Sequence, residues 1–204
     1  VECEVNAVSR LPLVTWGLAA LICGVSVWAF SDLARVVKEF GLVPAQAWRH
    51  GGLTFLTSFV LHGGLLHLLS NVYFLLIFGD NVEEALGRRR YLALIALAAV
   101  VGDLLHVAMD PHSQVPCIGA SGGISGIIVF YALKFPHARL GFLFRFYWAF
   151  RWVRISARTA LILWLLLQSL GAWQQLAGFT NVSALAHLGG AAVGFAFWWV
   201  CHES

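Results

Sequence analysis

Six stretches of this chain are apolar for about the length that a bilayer demands. They run over residues 11–30, 54–79, 91–109, 119–135, 159–176 and 182–200. An α-helix rises 1.5 Å per residue, so about 20 residues cross a ~30 Å hydrocarbon core. Composition agrees: of 204 residues, 60% are hydrophobic and 11% are charged, with mean hydropathy +0.80. A water-soluble domain is nearer a quarter charged. A large soluble core is thereby excluded, and an all-α, polytopic membrane protein with a six-helix bundle is expected, as one domain over residues 1–204. No cleavable signal peptide is read at Val1. Cys3, Cys23, Cys117 and Cys201 are scattered without CxxC spacing, which argues against a disulfide framework or a thiolate metal site.

The connections set an orientation. "SDLARVVKEF" (31–40) alternates like an amphipathic helix at the membrane surface, "GDNVEEALGRRR" (79–90) ends the second span, and 137–158 is aromatic and basic. Arg88, Arg89 and Arg90 lie between spans two and three; Arg139, Arg145, Arg151, Arg154 and Arg158 lie between spans four and five. By the positive-inside rule these loops and both termini are cytoplasmic, although Arg35, Lys38 and Arg49 in the first connection run against it. Arginine in excess of lysine, with abundant Ala, Gly and Leu, suggests a GC-rich bacterial genome, and a helical membrane protein of such a source is expected in the inner membrane.

Polar groups inside spans are costly and need a reason. In span two, His67 and Asn71 share one helical face, with His62 at the frayed start before Gly63 and Gly64. Interhelical hydrogen bonding is one reading of them and metal binding is another, but the spacing is not that of HExxH and no carboxylate is near. In span six, Ser183, His187, Gly190, Ala191 and Gly194 form a small-residue stripe carrying one imidazole, a pattern more often structural than catalytic. Span four opens with "GASGG", where Gly119/Gly123 and Gly122/Gly126 are spaced GxxxG and Ser121 could be one more small packing residue. Asp103 and His106 lie in span three.

Taken together these residues suggest acyl transfer. A serine hydroxyl attacks only when a base within ~2.6–3.2 Å takes its proton. Two helices bring a Ser and a His that close when glycines clear the contact, as Gly122 and Gly126 would opposite Gly190 and Gly194. His67 and Asn71 could supply donors for a developing oxyanion.

The order HxxxxHxxxN (His62, His67, Asn71), GxSG (Gly119, Ala120, Ser121, Gly122) and AHxxGxxxG (Ala186, His187, Gly190, Gly194) resembles the rhomboid intramembrane serine proteases, as does "FGDNVEEALG". The resemblance covers all six spans. It implies Ser121 as nucleophile, His187 as general base, and an oxyanion hole from the Ser121 backbone N–H, His67 and Asn71. His62, Gly119, Gly122 and Gly190 would be supporting residues. It also implies cleavage near the outer end of membrane-spanning protein substrates, with no metal or other cofactor and no nucleic-acid partner. The lipid bilayer is a partner in either case, and the oligomeric state is not legible because every GxxxG can be used within the fold.

Two positions depart from the family pattern. Trp48-Arg49 stands fourteen residues before His62 rather than nine, and Ser125 replaces a tyrosine that stacks on the catalytic imidazole in some members. Another residue must then orient His187. Asp103 is expected to hydrogen-bond within the bundle or with His106. Two rival functions remain open. A non-catalytic rhomboid-like protein that binds membrane helices usually lacks the Ser or the His. A transporter or proton channel would carry inverted repeats and paired carboxylates, and neither is visible.

Overall fold

The computed structural model describes residues 2–3 and 8–202. The chain is mostly helical. Helix α1 (Leu13–Ala29) starts directly after Pro12. Helix α2 (Leu33–Phe40) is capped by Asp32, whose carboxylate accepts from the Arg35 N–H, and it ends at Gly41. Two short 3-10 turns, Pro44–Gln46 and Arg49–Gly52, lead to α3 (Thr54–Val60). Then come α4 (Leu65–Leu86), α5 (Arg88–Met109) and α6 (Ser121–Lys134). Strands β2 (Arg139–Phe146) and β3 (Ala149–Ser156) precede α7 (Ala157–Leu176) and α8 (Ala184–His202).

Two expectations need correction. The run read as one span over 54–79 is two helices separated at 61–64, where Leu61 is extended and Gly63-Gly64 follow His62. Helix α4 then continues to Leu86, through the segment read as the end of the span. That continuation is possible because its polar residues turn inward: Asn81 and Glu83 are both buried. The all-α expectation is amended at 139–156, which forms an antiparallel hairpin pairing Arg139 with Ser156 through Phe146 with Ala149. A short strand β1 (Glu2–Cys3) adds to its edge beside Leu140 and Arg139. One hairpin face sets Leu140, Phe142, Val153 and Ile155 against α7. The paired partners Arg139, Arg145, Arg154, Phe150 and Trp152 alternate onto the other face. Such a basic, aromatic face suits a headgroup region.

Four helical segments are long and apolar enough to cross a membrane: Leu13–Phe40, Leu65–Leu86, Arg88–Met109 and Ala184–Cys201. Helix α6 is shorter, at 14 residues. It is buried nearly all round, from Gly122 through Ala132, as expected of an apolar helix inside a bundle. Glycines set how near its neighbours come. A Cβ on Gly190 of α8 would overlap the Gly122 carbonyl oxygen of α6, and one on Gly194 would overlap that of Gly126. A second crossing, not foreseen from sequence, joins α5 to α8: a Cβ on Gly189 would lie 2.7 Å from the Gly102 Cα.

The N-terminus of α1 is closed by a buried carboxylate. Glu83 accepts from the N–H groups of Val14 (3.1 Å) and Thr15 (2.8 Å) and from the Thr15 hydroxyl (2.9 Å). The Tyr91 hydroxyl lies 3.0 Å from Thr15 Oγ1, and Arg88 Nε is 3.7 Å from Glu83. This cluster is at the end of α4 away from His67.

Candidate active site

The connection before α6 is shaped by Gly119. Its φ of +127° is a region that residues with a Cβ avoid, and a Cβ there would sit 2.8 Å from His67 Nε2. Glycine therefore serves both the turn and the approach of the imidazole. The loop is pinned from below. The Gly119 N–H donates to the Ser58 carbonyl (2.9 Å), and the Ala120 N–H donates to His62 Nε2 (3.4 Å). With Nε2 accepting, His62 carries its proton on Nδ1, 3.0 Å from Ser26 Oγ of α1, and that hydroxyl donates onward to the Val60 carbonyl. His62 is fully buried and forms a clasp between α1 and the loop, with its ring edge-on to that of His67, the centroids 4.9 Å apart.

Ser121 is the first residue of α6, and no side chain caps that helix start. The first N–H groups of a helix have no intrahelical acceptor and carry the positive end of its dipole. Among the described residues, the N–H groups of Ser121, Gly122 and Gly123 have no protein acceptor. Ser121 Oγ lies 2.8 Å from His187 Nε2 of α8. The near-overlap of Gly190 with Gly122 one turn below is what permits a side chain as short as serine to reach the imidazole. Of the glycines, Gly122 contributes through its carbonyl: a Cβ there would meet nothing nearer than 3.6 Å.

Helix α4 brings two further groups. The Gly63 N–H donates to His67 Nδ1 (3.3 Å), so the proton of His67 sits on Nε2, on the side of Gly119 and Ser121. Asn71 Nδ2 donates to the His67 carbonyl (2.8 Å), which leaves one amide hydrogen uncommitted. His67, Asn71, Ser121 and His187 line one cavity of about 530 Å³, which Trp164 and Gln168 of α7 close on the opposite side. The arrangement can abstract a hydroxyl proton and donate hydrogen bonds to an anion beside it.

The family model described as "Rhomboid domain" matches residues 44–204. The chain belongs to the rhomboid family. Rhomboid-related protein 1 of Caenorhabditis elegans is 35% identical over 159 residues, covering 76% of this chain and 40% of that protein. The human Presenilin-associated rhomboid-like protein, mitochondrial, is 27% identical over 194 residues, 93% of this chain and 48% of that protein. Rhomboid-like protease 3 of Toxoplasma gondii is 36% identical over 83 residues, 41% of this chain and 29% of that protein. The chain spans less than half the length of these relatives. As a rhomboid with apolar helices of spanning length, it is an integral membrane protein.

The remaining rhomboid positions fall as follows. Ser125 donates back to the Ser121 carbonyl (2.6 Å), one turn earlier, and does not reach the His187 ring. Gln168 takes up that ring instead: its Oε1 is 2.8 Å from His187 Nδ1. Gln168 was not foreseen from sequence. Its signal is a glutamine inside "LILWLLLQSL", seven residues before Gln175, which lies 3.0 Å from His106 Nδ1. Asp103 lines the cavity and accepts from Ser58 Oγ (3.2 Å), whereas His106 pairs with Ser183 and Gln175. The displaced Arg49 still fastens the first connection, donating to the Gly41 carbonyl at the end of α2 (2.6 Å). Cys117 is also on the cavity wall, where burial pushes its thiol up to about 12, so it stays protonated and weakly nucleophilic. Among the described residues, no three His, Cys, Asp or Glu side chains gather as a metal site.

Proposed function

We propose that this rhomboid is an intramembrane serine endopeptidase that cuts membrane-spanning proteins through Ser121 and His187. The contact of 2.8 Å between Ser121 Oγ and His187 Nε2 carries the reading. Ser121 Oγ attacks the scissile carbonyl carbon as its proton passes to His187 Nε2. The oxyanion lies against the Ser121 N–H, His67 Nε2–H and the free Asn71 amide hydrogen. Collapse breaks the C–N bond, and His187 returns the proton to the leaving amine. Water then attacks the acyl-serine, with His187 again taking and returning a proton, and Ser121 is restored.

The cavity supports a membrane substrate. Phe74, Ile128 and Trp164 belong both to its wall and to an apolar groove of about 400 Å³ between α4, α6, α7 and the hairpin. An apolar helix approaching along that groove meets Ser121 at its polar end. The arginines flanking the other ends of α4, α5 and α6 argue that those ends are cytoplasmic, which puts Ser121 toward the outer face.

The test is incubation in detergent with a single-pass membrane substrate, wild type beside Ser121→Ala. Cleavage by the wild type alone is expected, with a fluorophosphonate labelling Ser121. Capture of the substrate without cutting, and no labelling, would replace the protease by a membrane-helix-binding protein. A Ser121→Cys variant lacking the native cysteines should react with an impermeant thiol reagent from the outer face. Reaction from the arginine-rich face would invert the topology.

A further inference from the structure

Helix α7 is joined to the other helices by few polar contacts. Among the described residues, its side-chain hydrogen bonds to them come from two glutamines, Gln168 and Gln175, seven residues apart and so on one face. Both meet a histidine, but they do so differently. Gln175 is oriented by the backbone: its Oε1 accepts from the Leu185 N–H (3.2 Å), so its Nε2 faces His106 Nδ1. Gln168 presents its carbonyl oxygen to His187 Nδ1 at 2.8 Å.

This direction has a chemical consequence. An imidazole carries one proton when neutral. With Gln168 Oε1 accepting, that proton is on Nδ1, and Nε2 offers a lone pair to the Ser121 hydroxyl. Were the amide reversed, Nε2 would hold the proton and could only donate to Ser121, and no base would exist. A glutamine among leucines on a membrane helix also has no cheaper partner than the one it makes.

We propose that Gln168 is a positioning residue: it fixes the tautomer and ring orientation of His187, in the place where some rhomboids use a stacking tyrosine and serine triads use a carboxylate. The proposal rests on the Ser121–His187 reading above. Because the amide is neutral, it orients the imidazole without the added charge that an aspartate would bring to the imidazolium. The base is therefore held correctly only while α7 is seated against α8.

The titratable groups that face His187 across the cavity are His67 from α4, Asp103 from α5 and Cys117 from the connection before α6; α6 and α7 present none. A charge placed at position 168 would thus be a new one beside the ring.

Three variants test the proposal in the full chain, in detergent, with the substrate that the wild type cleaves. Gln168→Ala should lower kcat on the order of 10²-fold with KM little changed, the scale of a misoriented catalytic group. Gln168→Glu keeps the acceptor and adds charge. It should retain most of the activity at high pH and move the acidic limb of the kcat/KM profile up by about one pH unit, because a carboxylate favours the imidazolium. Gln175→Ala removes an equivalent α7 contact without touching His187 and should leave the profile in place. Nitrogen-15 spectra of the His187 ring give a readout independent of turnover: an Nδ1–H tautomer in the wild type, lost in Gln168→Ala. Equal losses in Gln168→Ala and Gln175→Ala, with an unmoved profile in Gln168→Glu and an unchanged tautomer, would reduce Gln168 to helix docking and overturn the proposal. If the wild type neither cuts nor is labelled at Ser121, the protease reading itself falls, and this inference with it.

Discussion

At one end of the bundle a helix start is closed; at the other it is open. The first N–H groups of α1 meet the Glu83 carboxylate, which also takes the Thr15 hydroxyl. The first N–H groups of α6 face a cavity with no capping side chain. Both clusters are polar groups in an apolar bundle. The closed one has its donors and acceptors matched, so it contributes stability and has nothing left for a ligand. In the open one, donors on Ser121 and His67 are unspent, which costs stability and, on the proposed reading, leaves the energy to be recovered by a reacting carbonyl. Completeness of hydrogen bonding separates the scaffold from the site better than polarity does.

The comparison breaks first at Ser121 and His187. Replacing either by alanine should lower cleavage by at least about 10⁴-fold, and replacing both should cost little more, because the two act as one unit. In Ser121→Ala thermal stability should stay within about 0.5 kcal/mol, since the open helix start gives little to the fold. A large loss of stability in Ser121→Ala would erase the distinction between the two ends.

Packing beneath the site comes next. Gly190→Ala places a methyl on the Gly122 carbonyl and should cost roughly 3 kcal/mol together with most activity, whereas Gly122→Ala, whose Cβ would meet its neighbours at ordinary van der Waals distance (3.6 Å or more), should cost under about 1 kcal/mol. Chemical denaturation of the purified variants reads the difference. Equal tolerance would mean that α6 and α8 cross elsewhere.

His67→Ala removes an open-end donor and should lower kcat about 10²-fold with the melting temperature unchanged. Glu83→Ala does the reverse. It strands the N–H groups of Val14 and Thr15 and should cost about 2–3 kcal/mol of stability, while kcat per folded molecule stays near wild type. A Glu83 variant with wild-type stability and impaired turnover would move the functional boundary to the arginine-rich end. The smallest effect belongs to Asn71→Ala, about 10-fold in kcat, because half of its donor capacity is already spent on the His67 carbonyl.

Much of this was legible in the sequence, and the failures have physical causes. Apolar runs marked most of the long helices within a few residues, since hydropathy and helix length are read directly. The break at 61–64 lies inside an apolar run, where one His-Gly-Gly among leucines hardly changes a window average, and was legible only as fraying around His62. The hairpin was hidden because apolar residues stand on both of its faces, Phe142 and Val153 on one and Leu143 and Trp152 on the other, which blurs the alternation. Spacing brought Ser121, His187 and His67 to one cavity on paper. It could not show Gln168, because a partner supplied from a distant helix has no local pattern. Nor could it show that His62, expected as a supporting residue, clasps Ser26 on one side and the Ala120 N–H on the other.

The dependence of the site on α8 bears on biosynthesis. His187 is 66 residues beyond Ser121, and α8 is the last of the described helices. While the chain is emerging, the Gly119–Ser121 loop and His67 are already present when α6 enters the membrane. No proton acceptor exists until α8 slides in against Gly122, Gly126 and Gly102. On the proposed reading, a chain whose α8 has not yet docked is therefore inert toward its neighbours in the translocation machinery, and Ser121 gains its base only when α8 seats against α6.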